Sequence, residues 1–218
     1  CHKQEYAFSD AGNIVSRGIN DLSGKRNSPA LFNLAWKPLF MWDGGIVNLE
    51  NQAIAPITDL HEMGSTLNDV TSYIQSNNQY VYSFREAFQV EQIGSKEYLI
   101  AIAQFMATMV SWQSRYDKYY QGELNALSKD EQKGLKLFRK YCASCHQEPL
   151  LTDFSFRRNG IEVTSIDSGR QRVTQRIEDR GKFMVPSLRN VNLTAPYMHD
   201  GRFESLEDVL MNYKSPEN

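Results

Sequence analysis

Cysteine is scarce in this sequence, occurring only at Cys1, Cys142 and Cys145. That is too few for the disulfide framework that holds small secreted domains together. Neither sign of charge is in excess: the formal net charge is −2 and the isoelectric point about 6.1. Nucleic acid is therefore excluded as a partner class, and any charged docking patch must be local. No run of 18 or more apolar residues occurs, so these residues encode no membrane span. Strand signals are sparse, and no repeat has a fixed short period. What remains is 218 residues, 41% hydrophobic and 11% aromatic, enough for one large or two small globular domains with a buried core.

The stretch Cys142-Ala-Ser-Cys145-His146 is C-x-x-C-H, the attachment signature of a covalently bound c-type haem. Two thiols add to the haem vinyl groups, and the following histidine is placed to ligate the iron. C-x-x-C also serves thiol redox pairs and zinc sites. The first wants a βαβ neighbourhood and the second another ligand pair, and neither is visible here. The chain opens on Cys1-His2, which reads as the end of a second C-x-x-C-H entered partway. All three cysteines then belong to haem signatures, and none is left for a structural disulfide. Two c-type haems imply a protein beyond the cytoplasmic membrane, in the periplasm, with a signal or anchor expected upstream of Cys1.

The pattern along the chain is mainly α, with long loops and few or no strands. Residues Tyr6 to Arg26 are polar and punctuated by Gly12, Gly18 and Gly24, the mark of a loop that wraps something. A short helix is expected over Ala30–Ala35, and another starting at or near Asn48 and running through Gln52 to Ala55, stopped by Pro56. Helical spacing covers Leu67–Gln75 and Tyr80–Phe88. The clearest helix runs from Lys96 to Tyr119, its stripe of Tyr98, Ile102, Phe105, Met109, Trp112 and Tyr116 reading as core. Ser128 and Glu131 form a capping box for a helix over Lys129–Tyr141 that delivers the chain into Cys142. Residues Asp153–Arg180 read as a loop over the second haem, and a last helix spans Ser205–Tyr213. The expectation is two cytochrome c-like haem domains, 1–124 and 125–218.

Several further motifs follow in order: Arg26-Asn27-Ser28-Pro29, Trp42-Asp43-Gly44, Gln52, Glu62-Met63-Gly64, then Pro186-Ser187-Leu188-Arg189-Asn190 and Thr194-Ala195-Pro196-Tyr197-Met198-His199-Asp200-Gly201. Together with C-x-x-C-H they make the chain resemble the bacterial dihaem cytochrome c peroxidase and MauG superfamily along essentially its whole length. The resemblance implies a peroxidatic N-terminal haem with His2 as proximal ligand, and a C-terminal haem that transfers electrons. Glu62 matches the distal glutamate, a carboxylate able to move a proton from the inner to the outer oxygen of peroxide. Gln52 matches a distal glutamine that orients peroxide, and Trp42 the tryptophan between the haems. Asn27 and the carbonyls of Thr194 and Pro196 match a calcium site, and oxygen donors suit that ion. His61 reads as a surface neighbour of Glu62, and His199 as a propionate partner or a core histidine.

Two departures from the peroxidase pattern matter. No histidine lies between His2 and His61, so the loop ligand that blocks the resting peroxidatic iron in many relatives is missing. Where the peroxidases place a methionine ligand to the second haem stands Tyr213, as in MauG. A phenolate is a hard anionic donor that favours ferric over ferrous iron and lowers the potential. Met211, Met198 and Met184 are its rivals. The functional expectation is reduction of hydrogen peroxide, with a small redox protein, a cytochrome c or cupredoxin, as donor. Alternatives are a MauG-like oxidase acting on a protein or larger organic substrate, and a non-catalytic dihaem electron carrier. A homodimer is a further expectation.

Overall fold

Ser128 opens its helix as its sequence requires: its side chain accepts from the Glu131 N–H (3.2 Å) while the Glu131 carboxylate accepts from the Ser128 N–H (2.7 Å). The same reciprocal cap recurs at Thr66/Asp69 and Ser114/Asp117, each worth about 1 kcal/mol. The computed structural model describes residues 2–160 and 167–213. Cys1 lies outside the described residues, as does part of the 153–180 segment. Among the described residues the α-helices are α1 (Ile54–Thr58), α2 (Leu67–Ser76), α3 (Asn78–Phe88), α4 (Ser95–Thr108), α5 (Arg115–Tyr120), α6 (Lys129–Tyr141), α7 (Gln171–Thr174) and α8 (Leu206–Tyr213). Among the described residues one two-stranded antiparallel ribbon pairs β1 (Phe156–Arg157) with β2 (Phe183–Met184), with Phe156 opposite Met184. The fold is mainly α with long loops, as the sparse strand signal predicts.

Three local expectations need correction. The helix foreseen over Lys96–Tyr119 is two helices: α4 ends at Thr108, Met109 to Gln113 run non-helically, and α5 begins after Ser114. The stripe misled because Ser114 and Asp117 build a new cap there, and Asp117 is drawn into a buried ion pair with Arg189. Phe105 is 61% exposed, so the stripe is not one core face. Over Ala30–Ala35 only a 3-10 turn at Leu34–Trp36 forms. Pro56 does not stop its helix but sits within the first turn of α1, where its missing N–H has no intrahelical partner to lose.

Two apolar clusters hold the first half. Ala53, Ile57, Ile74, Ile93, Tyr98 and Leu99 join α1, α2 and α4, while Leu34, Phe40, Met106 and Met109 seat the far end of α4 on the 31–46 loop. Each large side chain there contributes on the order of 1.5–3 kcal/mol. The second half is organised differently. Apart from Pro196, its buried hydrophobic side chains among the described residues are Met184 and Val185. Neither α6 nor α8 buries a residue, although α6 turns Leu135 and Phe138 to its half-covered side. Polar contacts tie this half together, including Thr152 Oγ1 to the Val185 carbonyl and Ser187 Oγ to the Leu150 carbonyl, each 2.6 Å.

Candidate haem sites

The two signature histidines are held in the same way. His2 Nδ1–H donates to the Phe8 carbonyl at 2.7 Å, and His146 Nδ1–H donates to the Leu151 carbonyl at 3.1 Å. This bond fixes the tautomer and leaves Nε2 as the lone pair for a metal. Burial pushes both imidazoles below their ordinary pKa, against the raising effect of the Phe8 carbonyl on His2 and of the Leu151 and Pro186 carbonyls on His146, so the neutral form is favoured. Phe8 and Leu151, which present the carbonyls, both sit in the left-handed region, with φ of 52° and 57°. That conformation costs a non-glycine residue about 1 kcal/mol, and it turns each carbonyl back toward its histidine.

Around His146 the chain arrives from α6, with Cys142 as its C-cap and the Cys145 and His146 N–H groups donating to the Cys142 carbonyl at 3.1 and 2.9 Å. Cys142 and Cys145 are free thiols, half-buried. Burial pushes the Cys142 thiol up, and Cys145 adds to it. From α8, Tyr213 is 49% exposed; its phenol is raised by desolvation and by the charges of both thiols, while a hydrogen bond from the Asn159 side chain acts the other way. Asn159 Nδ2 also lies 3.4 Å from Met198 Sδ. Of the methionine rivals, Met211 is 63% exposed and Met184 is buried in β2.

In the N-terminal half, Glu62 is half-buried in the turn after α1. Burial and then Asp59 raise its proton affinity. The turn is clamped by the 17–20 loop: Ile19 N–H donates to the Glu62 carbonyl at 2.7 Å, and a Cβ at Gly18 would stand 2.1 Å from the His61 carbonyl oxygen, so only glycine fits. Gln52 Nε2 rests 3.2 Å from Met41 Sδ, and its Oε1 is buried without a partner among the described residues. His61 is exposed and turned to Asp59, 3.3 Å away, as a surface neighbour. Trp42 Nε1–H donates to the Asn27 carbonyl at 2.8 Å, and its own carbonyl accepts from Met184 N–H at 2.8 Å.

The seam between the halves carries ion pairs that were not foreseen from sequence. Asp43, 0% exposed, accepts from Arg26 at 2.8 Å and from Arg172 at 2.7 and 2.9 Å. Arg26 also grips Asp167 through two nitrogens, and Arg170 donates to the Asp43 and Gly44 carbonyls. Arg26 and Asp43 stand in quoted motifs, but nothing local in the sequence points to partners more than 120 positions away. His199 stacks on Phe183 at 3.7 Å, and its buried Nε2 has no partner among the described residues.

The donor sets fit the groups the motifs call for. Two neutral imidazoles offer Nε2, two free thiols flank one of them, and the amphipathic faces of α6 and α8 remain partly uncovered beside it. Oxygen donors also gather at the seam. Asn27 N–H donates to the His199 carbonyl (2.7 Å), Asn27 Nδ2 donates to the carbonyls of Asn13 and Ile14, and Gly12 N–H donates to the Ala195 carbonyl. Asn27 Oδ1 and the Thr194 and Pro196 carbonyls accept no hydrogen bond from the described residues. Among the described residues no three His, Cys, Asp or Glu side chains gather as a metal site. A cation here would rest on amide and carbonyl oxygens, which suits calcium.

A chain with two such histidine sites on an α scaffold is a dihaem c-type cytochrome in its architecture. It belongs to the di-haem cytochrome c peroxidase family, whose model matches residues 1–125. It is 32% identical over 219 residues to the methylamine utilization protein MauG of Methylophilus methylotrophus, covering 99% of this chain and 65% of that protein. It is 35% identical over 216 residues to the cytochrome c551 peroxidase of Nitrosomonas europaea, covering 96% of this chain and 64% of that protein. The chain therefore spans just under two thirds of these curated relatives. A solved MauG-like protein associated with microbial copper homeostasis superposes with a TM-score of 0.89 at 31% identity, covering 97% of this chain and 68% of that one. No helix among the described residues is long and apolar enough to cross a membrane.

Proposed function

We propose that the chain is the body of a periplasmic dihaem peroxidase that reduces hydrogen peroxide in a first domain, 1–124, with electrons entering through a second, 125–218. The observation that carries this reading is Glu62, a half-buried carboxyl with raised proton affinity on a clamped turn. Reduction of peroxide to two waters consumes two electrons and two protons, and a bound haem supplies the iron at which the oxygen–oxygen bond is cleaved. Glu62 holds and returns the proton that shifts between the two oxygens. Gln52, with an amide oxygen free of protein partners, orients the peroxide. His2, with Nδ1–H engaged, presents Nε2 as the proximal donor; His146 and Tyr213 flank the second site. Trp42 bridges the halves as the oxidisable ring between them. Calcium rests on Asn27, Thr194 and Pro196, and a cytochrome c or cupredoxin is the electron donor.

The decisive experiment uses the full-length, haem-loaded protein with Glu62→Gln. Peroxide turnover is expected to fall about 10²–10⁴-fold with the haem spectra preserved. Unchanged turnover would sink the reading and leave an electron carrier. Tyr213 favours a second reading, in which the same site oxidises a protein or larger organic substrate as MauG-like proteins do. Its support is that the Tyr213 phenol feels the charge of both thiols of the second signature.

A further inference from the structure

α6 carries a feature that haem attachment does not use. Lys129, Lys133, Lys136 and Lys140 are all exposed and recur at intervals of four, three and four, which places them on one face of the helix. The two acids of α6, Asp130 and Glu131, sit in its first turn, and both are engaged, Asp130 by Lys133 at 2.9 Å and Glu131 by Arg115 at 2.6 Å. Arg139 is held by Glu148 at 2.8 Å. Lys129, Lys136 and Lys140 make no ion pair with any described residue. From Gln132 to Tyr141 the helix bears only positive charges. The helix dipole accounts for cations in the last turn, but not for Lys133 or Lys136.

Beside this stripe two apolar side chains one turn apart stand in solvent, Leu137 at 59% and Tyr141 at 66% exposure. The Lys140 ammonium lies 4.7 Å from the centre of the Tyr141 ring. The stripe runs straight into Cys142, the C-cap. A body resting on the last two turns of α6 would therefore lie against a residue of the second signature. In a chain of net charge −2, this is a local basic patch with a small apolar centre at the edge of a redox site.

We propose that the outer face of α6, from Lys133 to Tyr141, docks a small acidic one-electron carrier protein that reduces the haem held by Cys142, Cys145 and His146. The proposal rests on the reading of that haem as the electron entry site. Unpaired lysines steer an acidic partner over distances longer than contact, in a salt-dependent way. Leu137 and Tyr141 supply the limited apolar contact that suits a short-lived redox encounter.

The test is stopped-flow reduction of the C-terminal haem in the full-length, haem-loaded protein. The probes are an acidic cupredoxin, a lysine-rich cytochrome c and dithionite. With the acidic cupredoxin the second-order rate constant should fall as ionic strength rises from about 10 to about 200 mM. The double variant Lys136→Glu/Lys140→Glu should lose about 10-fold or more of that rate at low salt, react faster with the basic cytochrome, and keep the wild-type rate with dithionite. A salt-independent rate with the cupredoxin, or a rate unchanged in the double variant, overturns the proposal. If dithionite does not reduce the C-terminal haem of the wild type, the reading of that haem as entry site falls, and the proposal with it. A Leu137→Ser variant, which leaves the charge alone, should slow the cupredoxin while preserving the salt slope; an unchanged rate would remove the apolar centre from the surface.

Discussion

Arg189 and Asp117, 72 positions apart, meet in a two-pronged ion pair at 2.6 and 3.1 Å with both side chains buried. Burial alone would raise the Asp117 carboxyl. Hydrogen bonds from Arg189, from Ser114 and from the Gln113 and Ser114 N–H groups outweigh it and hold the group well below the usual carboxylate range. The Arg189 guanidinium also lies over the Trp112 and Tyr116 rings at 5.1 and 5.9 Å and donates to the Pro149 carbonyl. The pair joins α5 to the 186–190 segment, and Arg189's bond to the Pro149 carbonyl carries it on to the residues just after the second signature.

Asp117→Asn should therefore cost about 3–5 kcal/mol, because it leaves a buried guanidinium without its counter-charge. Denaturant unfolding of the haem-loaded protein measures it. Because the folded-state pKa is depressed, the stabilisation is full above the ordinary aspartate pKa of about 3.9 and is lost as pH falls below it. The wild type should lose stability in acid more steeply than Asp117→Asn.

Asp59 raises the proton affinity of Glu62 through its charge, after burial. Asp59→Asn should move the acid limb of the peroxide-turnover profile to lower pH, since Glu62 then ionises more readily. The plateau rate should be little changed. A limb that stays in place would separate Glu62 from the titrating group.

At the second site, Tyr213→Met should raise the reduction potential of the C-terminal haem, because a thioether stabilises ferrous iron better than a phenolate does. Asn159→Leu should lower it, because a phenolate relieved of its hydrogen bond donates more strongly. Spectroelectrochemical titration should show the two variants moving in opposite directions, and shifts of the same sign would contradict the ligand assignment.

A calcium chelator should lower the melting temperature of the wild type, and saturating calcium should restore it. An ion present at about 100 times its dissociation constant is worth about 2.7 kcal/mol. Asn27→Ala should melt at one temperature with or without chelator. A chelator response that survives in this variant would place the ion elsewhere.

Much of this was readable in the residues because the relevant signals are local. C-x-x-C-H, the Ser128 cap and the α-rich pattern each occupy a few adjacent positions, and the structure bears out the cap and the fold class. What the sequence could not convey were relationships across the chain. The stripe from Tyr98 to Tyr116 has helical spacing throughout, yet Asp117 is recruited by a distant arginine and the helix breaks. Asp43 was visible as a member of a motif, but its partner Arg172 lies 129 positions away. The unpaired side of α6 was equally hidden, since exposure depends on what the other helices cover.

The bracing around Trp42 and Asp43 has a consequence for rates. Trp42 is bonded to Asn27 on one side and to Met184 on the other, while the adjacent Asp43 bolts Arg26 to Arg172. Mechanical joint and the electronic bridge proposed for Trp42 are thus neighbours on one short loop. Tunnelling between redox centres decays exponentially with separation, so slack in these ion pairs would register first as slower transfer between the halves, with each half still intact. On the proposed role of Trp42, stiffness at Asp43 is a kinetic property of the molecule before it is a contribution to its stability.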